Sequence, residues 1–203
     1  MGLLNLITFS LLMNLMNNKI LIITAPSGAG KTSITKYLMN KFPVLTFSVS
    51  AATRQARGTE KNGVDYYFIS GEEFKHKIQN NEFVEWEMVY EGKYYGTLKA
   101  ELQRIWGQGN IPVLDIDVKG AIHVQKQFNE GTFSLFIEPP SVNDLKIRLE
   151  SRGTESKESL AARLNKASYE LSFKEQFDKT IVNADLQTAC SDAEKIVTDF
   201  LNR

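Results

Sequence analysis

From Ile20 onward, short apolar runs bounded by turn residues alternate with stretches whose apolar positions recur every three to four residues. The first pattern predicts strands and the second helices. Ile20–Ile23 is an unbroken apolar run, the mark of a strand buried on both faces. Lys31 to Lys41 carries Ile34, Tyr37 and Leu38 on one side and is stopped by Pro43, so it predicts a helix. Leu45 to Val49 alternates as a strand, and Val64 to Ile69 is aromatic and β-branched, again strand. Ser70 with Glu73 forms a capping box that opens a helix to about Asn80. Phe83 to Val89 and Lys93 to Tyr95 predict a hairpin turning at Glu91-Gly92.

The helical rhythm then resumes. Thr97 is expected to cap a helix with Leu98, Leu102, Ile105 and Trp106 on one face. Ile111 to Asp117 reads as a buried strand ending in carboxylates, and Ile122 to Phe128 as a helix. Thr132 to Ile137 is a strand closed by Pro139-Pro140. Ser141 and Asp144 open a helix through Leu149. Residues 156 to 176 predict a long polar helix, Thr180 to Val182 a strand and Ala184 to Leu201 a final helix. Strands alternating with helices imply an α/β fold with a parallel sheet covered on both faces. Residues 48 to 97 read as a small, mostly β insertion.

Residues 1 to 18 break this order. They are apolar but interrupted by Asn5, Thr8, Ser10 and Asn14, with no basic residue before Lys19. The basic start of a signal peptide is therefore missing, and the run falls short of the ~20 residues that span a bilayer. Three readings stay open: a disordered or loosely packed tail, a weak membrane-surface anchor, or an upstream extension not made in the cell. Met13 and Met16 would be tidier starts, which favours the last.

Composition narrows the function. Lys+Arg and Asp+Glu both number 24, so no global basic field points to nucleic acid. Any phosphate recognition must come from local clusters. The single cysteine, Cys190, excludes an internal disulfide framework and fits a reducing cytoplasm. It is expected as a small buried residue of the last helix. His76 and His123 have no second ligand at metal spacing and are not read as catalytic.

The candidate chemistry centres on the turn after the first strand, Ala25-Pro26-Ser27-Gly28-Ala29-Gly30, followed by Lys31-Thr32. A Gly-rich turn between strand and helix is a P-loop pattern, with Ala25 where the general motif has its first glycine. Its backbone N–H groups converge on a phosphate, and the helix N-terminus points at the same place. Lys31 adds an ammonium for the β- and γ-phosphates and Thr32 a hydroxyl for Mg2+. Asp115, at the carboxyl end of a buried strand, suits the Mg2+ hydration shell. Asp117, two residues on, is expected on the same strand face; capping of the following helix is the alternative for this pair. Arg54 and Arg57, with Tyr66 and Tyr94-Tyr95 in the same insertion, could hold a second phosphate or form a solvated loop face. Arg148, Arg152 and Arg163 could neutralise a transferring phosphoryl group, or be surface helix residues.

These motifs resemble guanylate kinase. The matching stretches are APSGAGK (25–31), SVSAATRQARGTEKNGVDYYF (48–68), EFVEWEMVYEGKYYGT (82–97), LDIDVKG (114–120), FIEPPS (136–141), RLESRGTES (148–156) and IVNAD (181–185). The likeness runs from about Lys19 to the C-terminus. It implies a P-loop NTPase fold with a parallel sheet core, a GMP-binding subdomain at 48–97 and a mobile helical lid at 148–165. The reaction implied is phosphate transfer from ATP to GMP with Mg2+, by a cytoplasmic monomer or homodimer without nucleic-acid or membrane partners.

The resemblance also implies residue roles. Arg54, Arg57, Tyr66 and Tyr95 would hold the GMP phosphate. Ser50 and Thr97 would donate to guanine O6, and Glu85 and Asp117 would accept from N1–H and the 2-amino group. Residues Ala25 to Thr32, with Thr35, would hold ATP, and Asn183 would sit near the adenine. Thr32 and Asp115 would manage Mg2+, while Lys31, Arg148, Arg152 and Arg163 would serve catalysis. Where this chain has Thr97 the family often has Ser, and Asn183-Ala184-Asp185 replaces a common Asn-Asp-Asp. A non-catalytic guanylate-kinase-like binding module would need neither Lys31 nor Thr32, and this chain has both. A kinase for another nucleotide is opposed by Glu85 with Asp117.

Overall fold

The computed structural model describes residues 19–128, 131–151 and 157–203. The expectations for residues 1–18 and for Arg152, and part of the lid stretch, lie outside the described residues.

In chain order, β1 (Ile20–Thr24) leads into α1 (Lys31–Lys41), then β2 (Leu45–Phe47), β3 (Ala51–Ala52), β4 (Tyr67–Phe68) and α2 (Gly71–Gln79). The hairpin follows as β5 (Phe83–Tyr90) and β6 (Lys93–Leu98), then α3 (Lys99–Gly107), β7 (Ile111–Asp115) and α4 (Val118–Phe128). The chain ends with β8 (Thr132–Glu138), α5 (Val142–Glu150), α6 (Lys157–Leu171), a 3-10 turn (Lys174–Gln176), β9 (Lys179–Val182) and α7 (Leu186–Leu201).

The chain divides into two compact units. The first contains Val44–Leu114 and His123–Thr132, with the stretch ending at Ile20. Here β2 and β7 run in parallel, Leu45 opposite Ile111. The same unit holds a four-stranded sheet in the order β4-β3-β6-β5. In that sheet β3 pairs in parallel with β4 and antiparallel with β6, and β5 is antiparallel to β6. Its core is Ala51, Phe74 and Phe83, with the Phe74 and Phe83 rings stacked 4.4 Å apart. Ser70 caps α2 by accepting from the Glu73 N–H, as the capping box predicts.

The second unit contains Leu21–Pro43, Asp115–Ile122 and Phe133–Arg203. Strands β1, β8 and β9 lie side by side in that order, with β8 and β9 parallel. Ile20 to Ile23 are wholly buried, which accounts for their unbroken apolar run. Ser141 and Asp185 cap α5 and α7 through their side chains. Cys190 is buried in α7 and unpaired.

Four local expectations are corrected. Thr97 does not cap a helix: it lies in β6, α3 starts after Leu98, and the Thr97 hydroxyl is taken by Glu85. The strand expected over Val64 to Ile69 shrinks to Tyr67–Phe68. Gly63 has φ +75° and the Asn62 side chain accepts from the Phe68 N–H, so the preceding residues form a turn. Strand β7 stops at Asp115, so the period-two argument for Asp117 fails; its carboxylate accepts from the Gly120 N–H at the start of α4. The long polar helix ends at Leu171 and is followed by the separate 3-10 turn.

Candidate functional site

In the second unit the turn after β1 wraps back on itself, the Ala29 N–H donating to the Pro26 carbonyl at 3.1 Å. Gly28 and Gly30 take φ of +95° and +101°, a region open to glycine at little cost. A Cβ at Gly28 would press on Leu145 and Leu149 at 3.0 Å, and one at Gly30 would overlap the Asn183 amide. The turn thus stays bare of side chains where its N–H groups and the start of α1 converge, as anion binding requires.

Charged groups of the same unit surround this turn. Lys31 forms an ion pair with Asp115, both partly exposed, and its ammonium also donates to the Ile116 carbonyl at 3.4 Å. Arg163 donates to the Ser27 hydroxyl at 2.9 Å. Arg148 donates to the Asn183 carbonyl at 2.8 Å. Asn183 is buried, and its Nδ2 donates to the Ala29 carbonyl at 2.8 Å. Lys166 stands 3.9 Å from Asp117 and 3.6 Å from Glu170. Burial pushes the Glu170 carboxyl up, opposed by the neighbouring Lys166 charge. Thr32 is exposed in the first turn of α1. Thr35 is buried, its hydroxyl without a hydrogen-bond partner among the described residues.

The first unit holds a different constellation. Arg54 donates through Nε to the Tyr95 hydroxyl at 3.1 Å, and its guanidinium lies 4.8 Å above the Tyr66 ring. The rest of its fork grips Glu60, with Nη2 at 2.8 Å. Glu60 also accepts from the Arg57 N–H at 2.8 Å. The Arg54 hydrogen bonds, with the Arg57 N–H, hold the Glu60 carboxyl down at about 2. A carboxylate held this way engages the same donors that a phosphate would. The Arg57 side chain is exposed.

Across β5 and β6, Glu85 stands opposite Thr97 in the ladder, and the Thr97 hydroxyl donates to its carboxylate at 2.6 Å. Both are buried, with 6% and 0% of their surface exposed. A buried acceptor beside a hydroxyl suits recognition of a polar base edge. Ser50 sits just before β3. Asp117 belongs to the second unit.

Sequence reasoning missed Glu60, Glu101 and Lys166. Glu60 pairs with Arg54 within one loop, and Glu101–Arg104 and Lys166–Glu170 are neighbours along their helices. Only tertiary contacts bring Val49 and Tyr67 to Glu101 and Asp117 to Lys166, and nothing local marks these charges out.

Mg2+ is a cofactor implied by a triphosphate-binding turn. The oxygen donors Thr32 and Asp115 match its preference for hard ligands. Among the described residues no group of three or more His, Cys, Asp and Glu could hold a metal by itself. Mg2+ beside a nucleotide commonly takes one or two protein oxygens, with the rest from phosphates and water. The residues fit the group.

Parallel strand pairs joined through helices, with a glycine turn feeding α1 and a lysine–aspartate pair beside it, define the P-loop NTPase class. Comparison with known proteins narrows the class. The family model for guanylate kinase matches residues 17–200, and the chain belongs to the guanylate kinase family. It is 44% identical over 188 residues to a guanylate kinase of Bacteroides thetaiotaomicron, covering 93% of this chain and 92% of that protein. A guanylate kinase of Bacteroides fragilis is 46% identical over 183 residues, 90% of each chain. The crystal structure of guanylate kinase from Anaplasma phagocytophilum superposes with a TM-score of 0.71 at 32% identity, covering 90% of this chain and 85% of that one.

Proposed function

We propose that this protein transfers the γ-phosphoryl group of ATP to the phosphate of GMP, giving ADP and GDP. The observation that carries the reading is a pair of distinct anion-binding arrangements in one chain. One is the glycine turn with Lys31, and the other is Arg54 with Tyr66 and Tyr95 near the Glu85–Thr97 pair.

In this reading, Ala25 to Thr32 cradle the ATP phosphates and Lys31 leaves Asp115 to meet the β- and γ-phosphates. Asn183 supports the turn from below through Ala29 and contributes to ATP binding by doing so. Arg148 and Arg163 neutralise the transferring group. Arg54, Arg57, Tyr66 and Tyr95 take the GMP phosphate, which displaces the Glu60 carboxylate from the fork. Glu85, Thr97 and Ser50 read the guanine edge. Thr32 and Asp115 would hold Mg2+, which neutralises charge on the triphosphate when bound.

The attacking phosphate oxygen of GMP is already anionic, so no general base is needed. Positioning and charge neutralisation carry the chemistry. Residues 48–97 act as the GMP-binding subdomain and 148–165 as a lid whose closure excludes water as a competing acceptor. A cytoplasmic location belongs to the same reading, supported by the lone buried thiol of Cys190. No helix among the described residues is long and apolar enough to cross a membrane.

Separation of the products tests the reaction. ADP and GDP should form in equal amounts from ATP and GMP, and formation should stop in excess chelator. Hydrolysis of ATP without GDP would overturn the reading.

A further inference from the structure

Glu101 has no part in the chemistry above, yet it is a charged side chain with only 3% of its surface exposed. It lies in the first turn of α3, where a negative charge also suits the helix N-terminus. Its two oxygens collect donors from three places in the same unit. Oε1 accepts from the Val49 N–H at 3.1 Å and Oε2 from the Tyr67 hydroxyl at 3.0 Å. Arg104 forks onto both, at 2.9 and 2.8 Å. Burial pushes this carboxyl up, but the bonds from Arg104, Val49 and Tyr67 outweigh it and hold the carboxyl low.

The positions of these donors are informative. Val49 immediately precedes Ser50, and Tyr67 immediately follows Tyr66. The Tyr67 N–H in turn donates to the Ser50 carbonyl at 2.9 Å. Glu101 therefore closes a ring: carboxylate to Val49 N–H, on to Ser50, through its carbonyl to Tyr67, and through the Tyr67 hydroxyl back to the carboxylate. The ring fixes the backbone of Ser50 on one side and the start of β4, next to the Tyr66 ring under Arg54, on the other.

We propose that Glu101 is a positioning residue for the acceptor nucleotide: it locks Ser50 and Tyr66 in the geometry that binds GMP and sets acceptor affinity without touching the substrate. This rests on the GMP assignment of Ser50 and Tyr66 made above. Neither ATP binding nor the transferring group depends on this ring, so the effect is confined to one substrate.

Glu101→Ala leaves the Val49 N–H and Tyr67 hydroxyl without their acceptor. It should raise KM for GMP by about 10-fold or more, the scale of one or two buried groups left unpaired. KM for ATP and kcat should stay near the parent values. Two gentler variants keep the question decidable if the alanine does not fold. Glu101→Gln keeps the shape and a carbonyl acceptor but loses the charged fork, and should show a smaller rise in the same constant. Tyr67→Phe opens the ring at one bond and should weaken GMP, leaving ATP untouched. The readouts are steady-state kinetics with each substrate varied, calorimetric GMP titration without ATP, and melting temperature. A lower melting temperature with unchanged GMP affinity in Glu101→Gln and Tyr67→Phe would make Glu101 a purely structural residue and overturn the proposal. A parent protein that binds no GMP in calorimetry would overturn the functional reading itself, a result distinct from failure of the variants.

Discussion

Guanine and adenine differ at N1, where one carries a hydrogen and the other a lone pair. A carboxylate at Glu85 can accept from the first and offers nothing to the second. The Thr97 hydroxyl, which now donates to Glu85 at 2.6 Å, can turn to donate to O6, but it could equally accept, so it discriminates less. Glu85→Gln keeps the shape and an acceptor for Thr97 while exchanging a charge-assisted bond for a neutral one. GMP turnover efficiency should fall about 10-fold or more, the scale of a hydrogen bond to a charged group. The GMP-to-AMP ratio should narrow with it. An unchanged ratio in steady-state kinetics would move base recognition away from this residue. Lys31 poses the converse question, because the proposed reaction assigns it to the donor side alone. Lys31→Ala should cut kcat by about 100-fold or more and leave GMP affinity as it was. Equal loss of GMP binding by calorimetry would show that donor and acceptor groups have been wrongly divided.

The element that best shows how sequence becomes site is the turn between β1 and α1. Gly28 and Gly30 were legible because the turn needs positive φ and bare backbone, and those demands write themselves into local sequence. What the sequence did not disclose is the support beneath it, the Asn183 amide on the Ala29 carbonyl from 154 positions away. Gly30→Ala would set a Cβ against that amide in a backbone region costing about 1–3 kcal/mol for a side chain. ATP affinity and melting temperature should both drop; a variant unchanged in both would mean the turn is looser than its geometry. Thr97 was misread for a related reason. A hydroxyl before a helical apolar rhythm is a local cap signal, but the partner that claims it lies across the ladder at Glu85. Glu60 and Glu101 look like surface carboxylates with a nearby arginine; nothing local shows that Glu101 is buried and also takes the Val49 N–H and the Tyr67 hydroxyl. Local backbone chemistry was readable, and hydrogen bonds made over distance were not.

For the whole molecule, the proposed division of labour follows the two units. The donor turn, with Lys31, Arg148, Arg163 and Asn183, belongs to the second, and the cluster around Arg54 and Glu85 to the first. Phosphoryl transfer by positioning demands that both nucleotides be bound at once, which is why neither cluster alone would make a kinase. The zero formal net charge is consistent with this economy, because recognition rests on a few placed cations instead of a global field. The central claim is that the second nucleotide is GMP. The most direct test is a coupled ADP-release assay with ATP and Mg2+ across GMP, AMP, UMP, CMP and dTMP. A site built to hydrogen-bond guanine should favour GMP over AMP by about 10^4-fold, with the pyrimidine nucleotides no better than AMP. Comparable rates with AMP, or a preference for any of the other three, would contradict the account.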